Sequence, residues 1–202
     1  MNKILSLAAG ISLVMAFASS ASAQGVYFDI GLGLGSGSTK IDGDNVFNEL
    51  NRSSSVDELE LDLTIFKLGY GPFGNTSIYA VLELSGMAHR IYDNSDYIQF
   101  NSYLFGPGVI FYPIPLIQLG VSLGYSWVAN QTNLPMEMYE SDGGFAYNIS
   151  AAVDFGRGNH GCLIGLKYFS ATNELKSKVD QNSSMIGFFI KYAYRHKVAS
   201  LE

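Results

Sequence analysis

Glycine alternates with large apolar residues in the segment 25–38, which reads GVYFDIGLGLGSGS. Sorted by parity, Phe28 and the aliphatic residues fall on one face, and Tyr27, Asp29 and the glycines fall on the other. A period of two residues is typical of a β-strand. A nucleotide-binding glycine loop is disfavoured, because the third glycine of the GxGxxG pattern is missing and no helix follows. The segment is therefore predicted to be a strand with one continuous apolar face.

The same alternation recurs in about eight segments, which predicts an all-β fold. In the second segment the parity slips near Ile65 and Phe66, as it does at a β-bulge. Short connections rich in Gly, Pro and Asn alternate with longer polar ones, which we expect at 36–57, 129–142 and 170–182. Short turns at one end and long loops at the other are the layout of an outer-membrane barrel.

The N-terminus has a basic residue, Lys3, then an apolar run and an A-x-A motif at 21–23. We interpret residues 1–23 as a secretory signal peptide, 24–197 as one barrel domain, and 198–202 as a tail whose Leu-Glu end resembles a cloning remnant. Past the signal peptide no apolar run reaches the roughly 20 residues of a membrane-spanning helix.

Composition limits the classes of partner and of covalent stabilisation. The chain has 12 Lys and Arg against 18 Asp and Glu, for a net charge of −6. The basic residues do not cluster, so no nucleic-acid partner is expected. The single cysteine, Cys162, cannot form an intramolecular disulfide.

Two closed barrels fit this pattern, and they differ in which face points outward. In a soluble lipid-carrying barrel the apolar face points inward, and the outer face would be rich in Lys and Glu. Here the second face is mostly Gly, Ser, Asn, Ala and Tyr, which suits a narrow interior. Because backbone groups in hydrocarbon must all be paired, a sheet survives there only when it is closed. We therefore predict a single closed antiparallel eight-stranded transmembrane β-barrel.

Aromatic residues near both ends of the predicted strands are assigned to two membrane girdles, where amphipathic rings lie at headgroup depth. The girdle residues are Phe28, Tyr70, Tyr125, Trp127, Phe155, Tyr192 and Tyr194.

The chain resembles the small outer-membrane β-barrels of the OmpA membrane-domain, OmpX and OmpW type. The resemblance is carried by the signal peptide, the opening strand YFDIGLGLG, the segment LFGPGVIFYP and the final strand GFFIKYAY. The resemblance covers essentially the whole mature chain, but it is architectural and speaks to fold more than to activity. It implies contact with outer-membrane lipids and insertion by the barrel-assembly machinery; we expect a monomer. The C-terminus departs from the family, because Tyr194 is followed by RHKVASLE rather than ending the chain on an aromatic residue.

Five charged residues are predicted to face the lumen near mid-height: Asp29, Asp62, Glu83, Lys167 and Lys191. Unpaired charges in a narrow lumen are costly, so we expect a paired network that plugs the barrel. A conducting path is the alternative.

Apolar residues are expected in the upper lumen as well. In the fourth segment we place Ile98, Phe100 and Leu104 on the outer face and Tyr103 and Phe105 on the inner face. The candidate hydrophobic pocket then comprises Met87, Tyr103, Phe105, Phe169 and Met185. By resemblance to OmpW-like barrels, such a pocket would bind or pass small hydrophobic compounds; ordinary lumen packing is the alternative.

Enzyme activity, a cofactor and a metal site are not expected. Ser85 and His89 share a face of one strand, but four residues of extended chain separate them by about 13 Å. Asp42 and Asp44 flank Gly43 like half of a calcium loop, without the closing glutamate.

The long loops are acidic and are expected to lie outside the cell, where loops on a rigid scaffold commonly bind ligands. Their acidic residues are Asp42, Asp44, Glu49 and Asp57 in the first loop and Glu137, Glu140 and Asp142 in the third. We therefore expect an outer-membrane protein with a structural or surface-interaction role, with host or environmental ligands as candidate partners.

Overall fold

The computed structural model describes residues 25–73, 77–136, 138, 140–156 and 159–195. Eight long strands follow one another: β1 (Gly25–Ile41), β2 (Asp57–Gly71), β3 (Ile78–Asp93), β4 (Asp96–Ile114), β5 (Ile117–Val128), β6 (Ser141–Asp154), β7 (His160–Leu175) and β8 (Asp180–Arg195). The predicted signal peptide, the tail and Glu137 lie outside the described residues.

Short elements occupy two of the connections. The helix α1 (Val46–Ser53) lies between β1 and β2, together with the two-residue strand Asp44–Asn45. A second two-residue strand, Gln131–Thr132, follows β5 and pairs with β4. Among the described residues, no helix is long and apolar enough to cross a bilayer.

The eight strands form a closed ring. Each strand pairs antiparallel with the next in the chain, and β8 pairs with β1 along a register that runs from Tyr27 opposite Arg195 to Ile41 opposite Gln181. Closure gives the edge of each terminal strand a partner, so neither edge of the sheet is left unpaired. The predicted closed eight-stranded antiparallel barrel is confirmed.

The outer face of the ring carries exposed apolar side chains over most of its height. Leu32 is 61% exposed, whereas Asp29, on the other face of the same strand, is completely buried. Other exposed apolar residues on this face are Leu34, Leu68, Val121, Leu123, Ile149, Leu166, Ile186 and Phe188. A continuous apolar exterior of this extent needs a nonaqueous environment.

The glycines of β1 make room for the large inner side chains of β8. A Cβ atom at Gly31 would lie 2.3 Å from Cγ of Lys191, and one at Gly33 would lie 2.9 Å from Cα of Phe189. Side chains larger than hydrogen at these positions would displace residues that fill the lumen. The glycine alternation in β1 is therefore explained by close approach of the neighbouring strand.

A bulge in β2 changes which parity faces inward, as predicted. The register between β2 and β3 shifts between Thr64 and Phe66. Before the shift Asp62 and Thr64 are buried in the lumen, and after it Lys67 is buried there. The bulge therefore brings a lysine into the interior.

The predicted faces of the fourth segment are wrong. Leu104 is completely buried and lies opposite Ser85, an inner residue, whereas Tyr103 and Phe105 are partly exposed on the outer face. Phe100, predicted outside, is buried as well. Tyr103, Leu104 and Phe105 are consecutive apolar residues, so hydrophobicity does not discriminate between the faces. The register with β3 decides the orientation, because directly opposite residues share a face.

The predicted loop at 170–182 is mostly strand. β7 continues to Leu175 and β8 begins at Asp180, with only four residues between them. Likewise, β3 and β4 are joined by the two residues Asn94 and Ser95. The alternation of buried and exposed residues continues through these polar stretches, so the ladder extends past the apolar band.

Candidate functional site

Two ion pairs lie in the middle of the lumen with no solvent exposure. Lys67 Nζ lies 3.0 Å from Glu83 Oε2, and Lys167 pairs with Asp62; all four side chains are 0% exposed. The amide of Asn148 donates a hydrogen bond of 2.9 Å to Glu83 Oε1. Of the five predicted residues, the structure therefore pairs Asp62 with Lys167, while Glu83 pairs with Lys67, which the prediction did not include.

Asp29 and Lys191, the other two predicted residues of this network, are buried in the same lumen. Asp29 accepts a hydrogen bond of 2.7 Å from the hydroxyl of Tyr27. The ammonium of Lys191 lies 4.3 Å from the ring centroid of Phe189, a cation–π distance.

Lys67 was missing from the predicted network. Without it, the three carboxylates would face only two lysines. With it, the three acidic residues Asp29, Asp62 and Glu83 are matched in number by Lys67, Lys167 and Lys191, all of them buried. The parity slip near residue 65 is the sequence signal for this position, because it places Lys67 on the polar face of the second segment.

A chain of polar contacts fills the lumen at the short-turn end. Gln118 Nε2 donates to the hydroxyls of Tyr27 at 2.9 Å and of Tyr112 at 2.7 Å. The Tyr112 hydroxyl donates to Asp154 at 3.2 Å, and Asp154 pairs with Arg195. Sequence reasoning missed these residues, because most of the contacts, such as those of Gln118 with Tyr27 and of Asp154 with Tyr112, join residues more than forty positions apart.

An apolar layer fills the lumen above the charged residues. Met87, Phe169 and Met185 pack there with Leu104, each 1% exposed or less. Tyr103 and Phe105, the other two residues of the predicted pocket, lie on the outer face, so their assignment to the lumen is wrong. The ring of Tyr103 stacks on Trp127, with centroids 5.3 Å apart.

The residues predicted to form the aromatic girdles all lie on the outer face, partly or largely exposed: Phe28, Tyr70, Tyr125, Trp127, Phe155, Tyr192 and Tyr194. Their role at headgroup depth stays a prediction.

Ser85 and His89 have different partners in the lumen. The Ser85 hydroxyl lies 3.3 Å from the amide of Asn148. His89 lies 3.1 Å from Thr39 Oγ1 through Nδ1 and 3.0 Å from Glu58 Oε2 through Nε2. The two side chains are therefore held in separate contacts.

In the described part of the chain, one group of three His or acidic residues has the spacing of a metal site: Glu58, Glu60 and His89. The group lies at the long-loop end, next to the start of β2. Sequence reasoning did not consider it, although the Glu-x-Glu pattern places two carboxylates on one face of a strand.

Acidic side chains are exposed around the long-loop end, namely those of Asp42, Asp44, Glu49, Asp57, Glu140 and Asp142. A hydrogen bond from Lys176 lowers the pKa of Glu140 below its ordinary value, and the ammonium charge of Lys176 adds to this effect. This pair is exposed and joins the loop after β5 to the turn after β7.

The exterior and the closure of the ring together define the environment of the protein. An exposed apolar band requires lipid, and a closed antiparallel sheet leaves no strand edge to be desolvated there. The two longest connections, 42–56 and 129–140, lie at one end of the ring, as the long loops do at the extracellular end of outer-membrane barrels. The chain is an outer-membrane β-barrel.

Comparison with known proteins agrees on the fold. No protein-family model matches the sequence, and no curated protein matches it significantly. The structure is similar to Neisserial surface protein A (NspA), with a TM-score of 0.54 and 9% identity over 86% of this chain and 99% of that chain. At this identity the likeness shows the fold alone.

Two further solved structures have lower TM-scores. Ail, the attachment invasion locus protein of Yersinia pestis, solved with the heparin analogue sucrose octasulfate, has a TM-score of 0.49 and 17% identity over 86% of this chain and 100% of that chain. The outer-membrane protease OmpT of Escherichia coli has a TM-score of 0.42 and 10% identity over 88% of this chain and 99% of that chain.

Proposed function

We propose that this protein is a non-conducting, non-enzymatic barrel of the bacterial outer membrane, which acts as a rigid scaffold for the segments it presents outside the cell. The observation that carries the proposal is a set of contacts that cross the lumen between strands that do not pair. Lys167 on β7 reaches Asp62 on β2, and Asn148 on β6 reaches Glu83 on β3.

Cross-lumen contacts also occur nearer each end of the barrel. Gln118 on β5 donates to Tyr27 on β1, and Ser102 on β4 donates to Ser183 on β8 over 2.9 Å. An eight-stranded barrel has an interior just wide enough for side chains to fill. Contacts at several heights support a plug, because each one would have to break before an ion could pass.

Conductance in planar bilayers tests the plug. We expect the purified protein to give no stable current above the lipid baseline. The matched control is a variant that removes both ion pairs without changing net charge, with Asp62, Lys67, Glu83 and Lys167 all replaced by Ala. This variant should leak ions if it inserts. A large and stable conductance of the wild-type protein would refute the plug.

The exposed loops at the long-loop end carry acidic side chains, which favour partners with positive charge. The loop that contains α1 exposes Asp42, Asp44 and Glu49, and the connection between β5 and β6 exposes Glu140. We propose that these segments contact host or environmental ligands. Replacement of residues 129–140 by a Gly-Ser linker should reduce adhesion of bacteria that display the protein, and unchanged adhesion would count against a role for this loop.

A further inference from the structure

The extracellular end of the lumen contains a compact group of potential ligand atoms. Glu58 and Glu60 project from the same face of β2, and His89 lies directly opposite Glu60 on β3. One ligand atom from each residue lies within 4.8 Å of the other two. His89 Nε2 is 3.0 Å from Glu58 Oε2 and 3.8 Å from Glu60 Oε1.

Glu60 is the second observation that points to a ligand. Its side chain is 3% exposed, and both carboxylate oxygens are buried without a hydrogen-bond partner. Among the described residues, no lysine or arginine forms an ion pair with Glu58 or Glu60; His89 is the partner of both. Buried carboxylates are normally compensated by hydrogen bonds, by a cation or by a metal.

Thr39 orients the histidine from the opposite side. Its hydroxyl lies 3.1 Å from His89 Nδ1, and both residues are completely buried. When Nδ1–H donates to Thr39 Oγ1, a bound ion can take the place of the proton that otherwise joins Nε2 to Glu58 Oε2, and that proton is released to solvent. A metal-binding histidine is typically held in this way, with its second nitrogen bonded to a neighbouring oxygen.

We propose that Glu58, Glu60 and His89 bind a first-row divalent transition metal ion, with Zn²⁺ as the preferred occupant. One imidazole nitrogen and two carboxylate oxygens are ligands that Zn²⁺ accepts, and three protein ligands leave a position for water. Ca²⁺ is disfavoured, because it requires six to eight oxygen ligands and does not prefer imidazole. The side chain of Glu58 is 39% exposed, so an ion can enter from outside the cell.

Calorimetric titration with ZnCl₂ tests the site on the whole barrel in detergent, freed of metal by a chelator and carrying no polyhistidine tag. We expect one saturable Zn²⁺ site per chain, weakened at least tenfold by Glu60→Gln or His89→Asn. Thr39→Val should weaken binding by roughly tenfold, because it removes only the group that orients the histidine.

Two matched controls separate the site from general surface binding. His160→Asn removes an exposed histidine at the opposite end of the barrel, and Asp57→Asn removes an exposed carboxylate next to Glu58. Both should bind Zn²⁺ like the wild type. Circular dichroism of each variant must match that of the wild type before the affinities are compared.

Cobalt substitution gives a readout that does not depend on a variant's stability. Co²⁺ bound to the wild-type protein should show visible absorption bands of a low-coordination nitrogen and oxygen site, and added Zn²⁺ should abolish them. Absence of saturable Zn²⁺ binding to the wild type, or binding that His89→Asn leaves unchanged, would overturn the proposal.

Discussion

The middle of the lumen and its extracellular end hold buried charge in different ways. In the middle, Asp62 and Glu83 each pair with a lysine, and all four side chains are completely buried. At the extracellular end, Glu60 lies on the same strand and only two residues from Asp62, yet among the described residues its one ion-pair partner is His89, 3.8 Å away, and it has no lysine or arginine. Balanced charge suits a region that closes the lumen, whereas excess negative charge suits a region that accepts a cation.

An apolar layer separates the two regions. On the inner face of β3, Met87 lies between Glu83 and His89, and it packs against Leu104, Phe169 and Met185. The four side chains of the ion pairs below it are completely buried. In such surroundings a charge that loses its partner is strongly destabilising.

The largest expected effect comes from breaking the balance in the middle. Lys167→Met leaves Asp62 without its counter-charge, so we expect the free energy of unfolding to fall by about 3–5 kcal/mol. Urea titration in lipid vesicles measures this change. The double variant Asp62→Asn with Lys167→Met should recover most of the loss, and an equal loss in both variants would contradict the pairing.

The separating layer can be probed with two adjacent residues. Leu104→Ala should lower the free energy of unfolding by about 2–5 kcal/mol, because it leaves a cavity in the packed layer. Phe105→Ala should cost clearly less, since lipid replaces the lost side chain on the outer face. The same urea titration compares them. A larger loss of unfolding free energy for Phe105→Ala than for Leu104→Ala would indicate that Phe105 faces the lumen.

Replacing the Glu60 carboxylate should stabilise the protein, whereas the substitutions above destabilise it. Glu60→Gln removes a buried charge whose one ion-pair partner among the described residues, His89, is 3.8 Å away, so in metal-free buffer we expect the free energy of unfolding to rise by about 1 kcal/mol. Glu83→Gln is the matched control and should lower it, because Lys67 then stays buried without a counter-charge. Equal losses in both variants would show that Glu60 is as well compensated as Glu83.

The smallest effect is expected at the exposed pair of Glu140 and Lys176. Exposed ion pairs contribute little, because solvent screens them. Lys176→Ala should therefore leave the unfolding midpoint unchanged within the error of the titration. It should also return the pKa of Glu140 towards its ordinary value, which NMR titration of the carboxyl can follow. An unfolding midpoint clearly lowered by Lys176→Ala would show that this connection is more rigid than its exposure suggests.

The sequence by itself determined the architecture of this protein. Alternation with a period of two identified the strands and the bulge near residue 65, because side-chain direction in a strand depends only on parity. The glycine-rich face identified the crowded interior. The apolar face identified the lipid side, since few charges interrupt it.

Only the tertiary structure decided which residues meet inside the barrel. Thr39 and His89 lie fifty residues apart in the chain, and Lys167 and Asp62 lie on strands that do not pair. Where apolar residues are consecutive, as at Tyr103 and Leu104, hydrophobicity does not show which of them faces the lumen. The register with β3 decides which residue points inward. Local periodicity carries no information about ring closure, and closure sets every contact across the lumen.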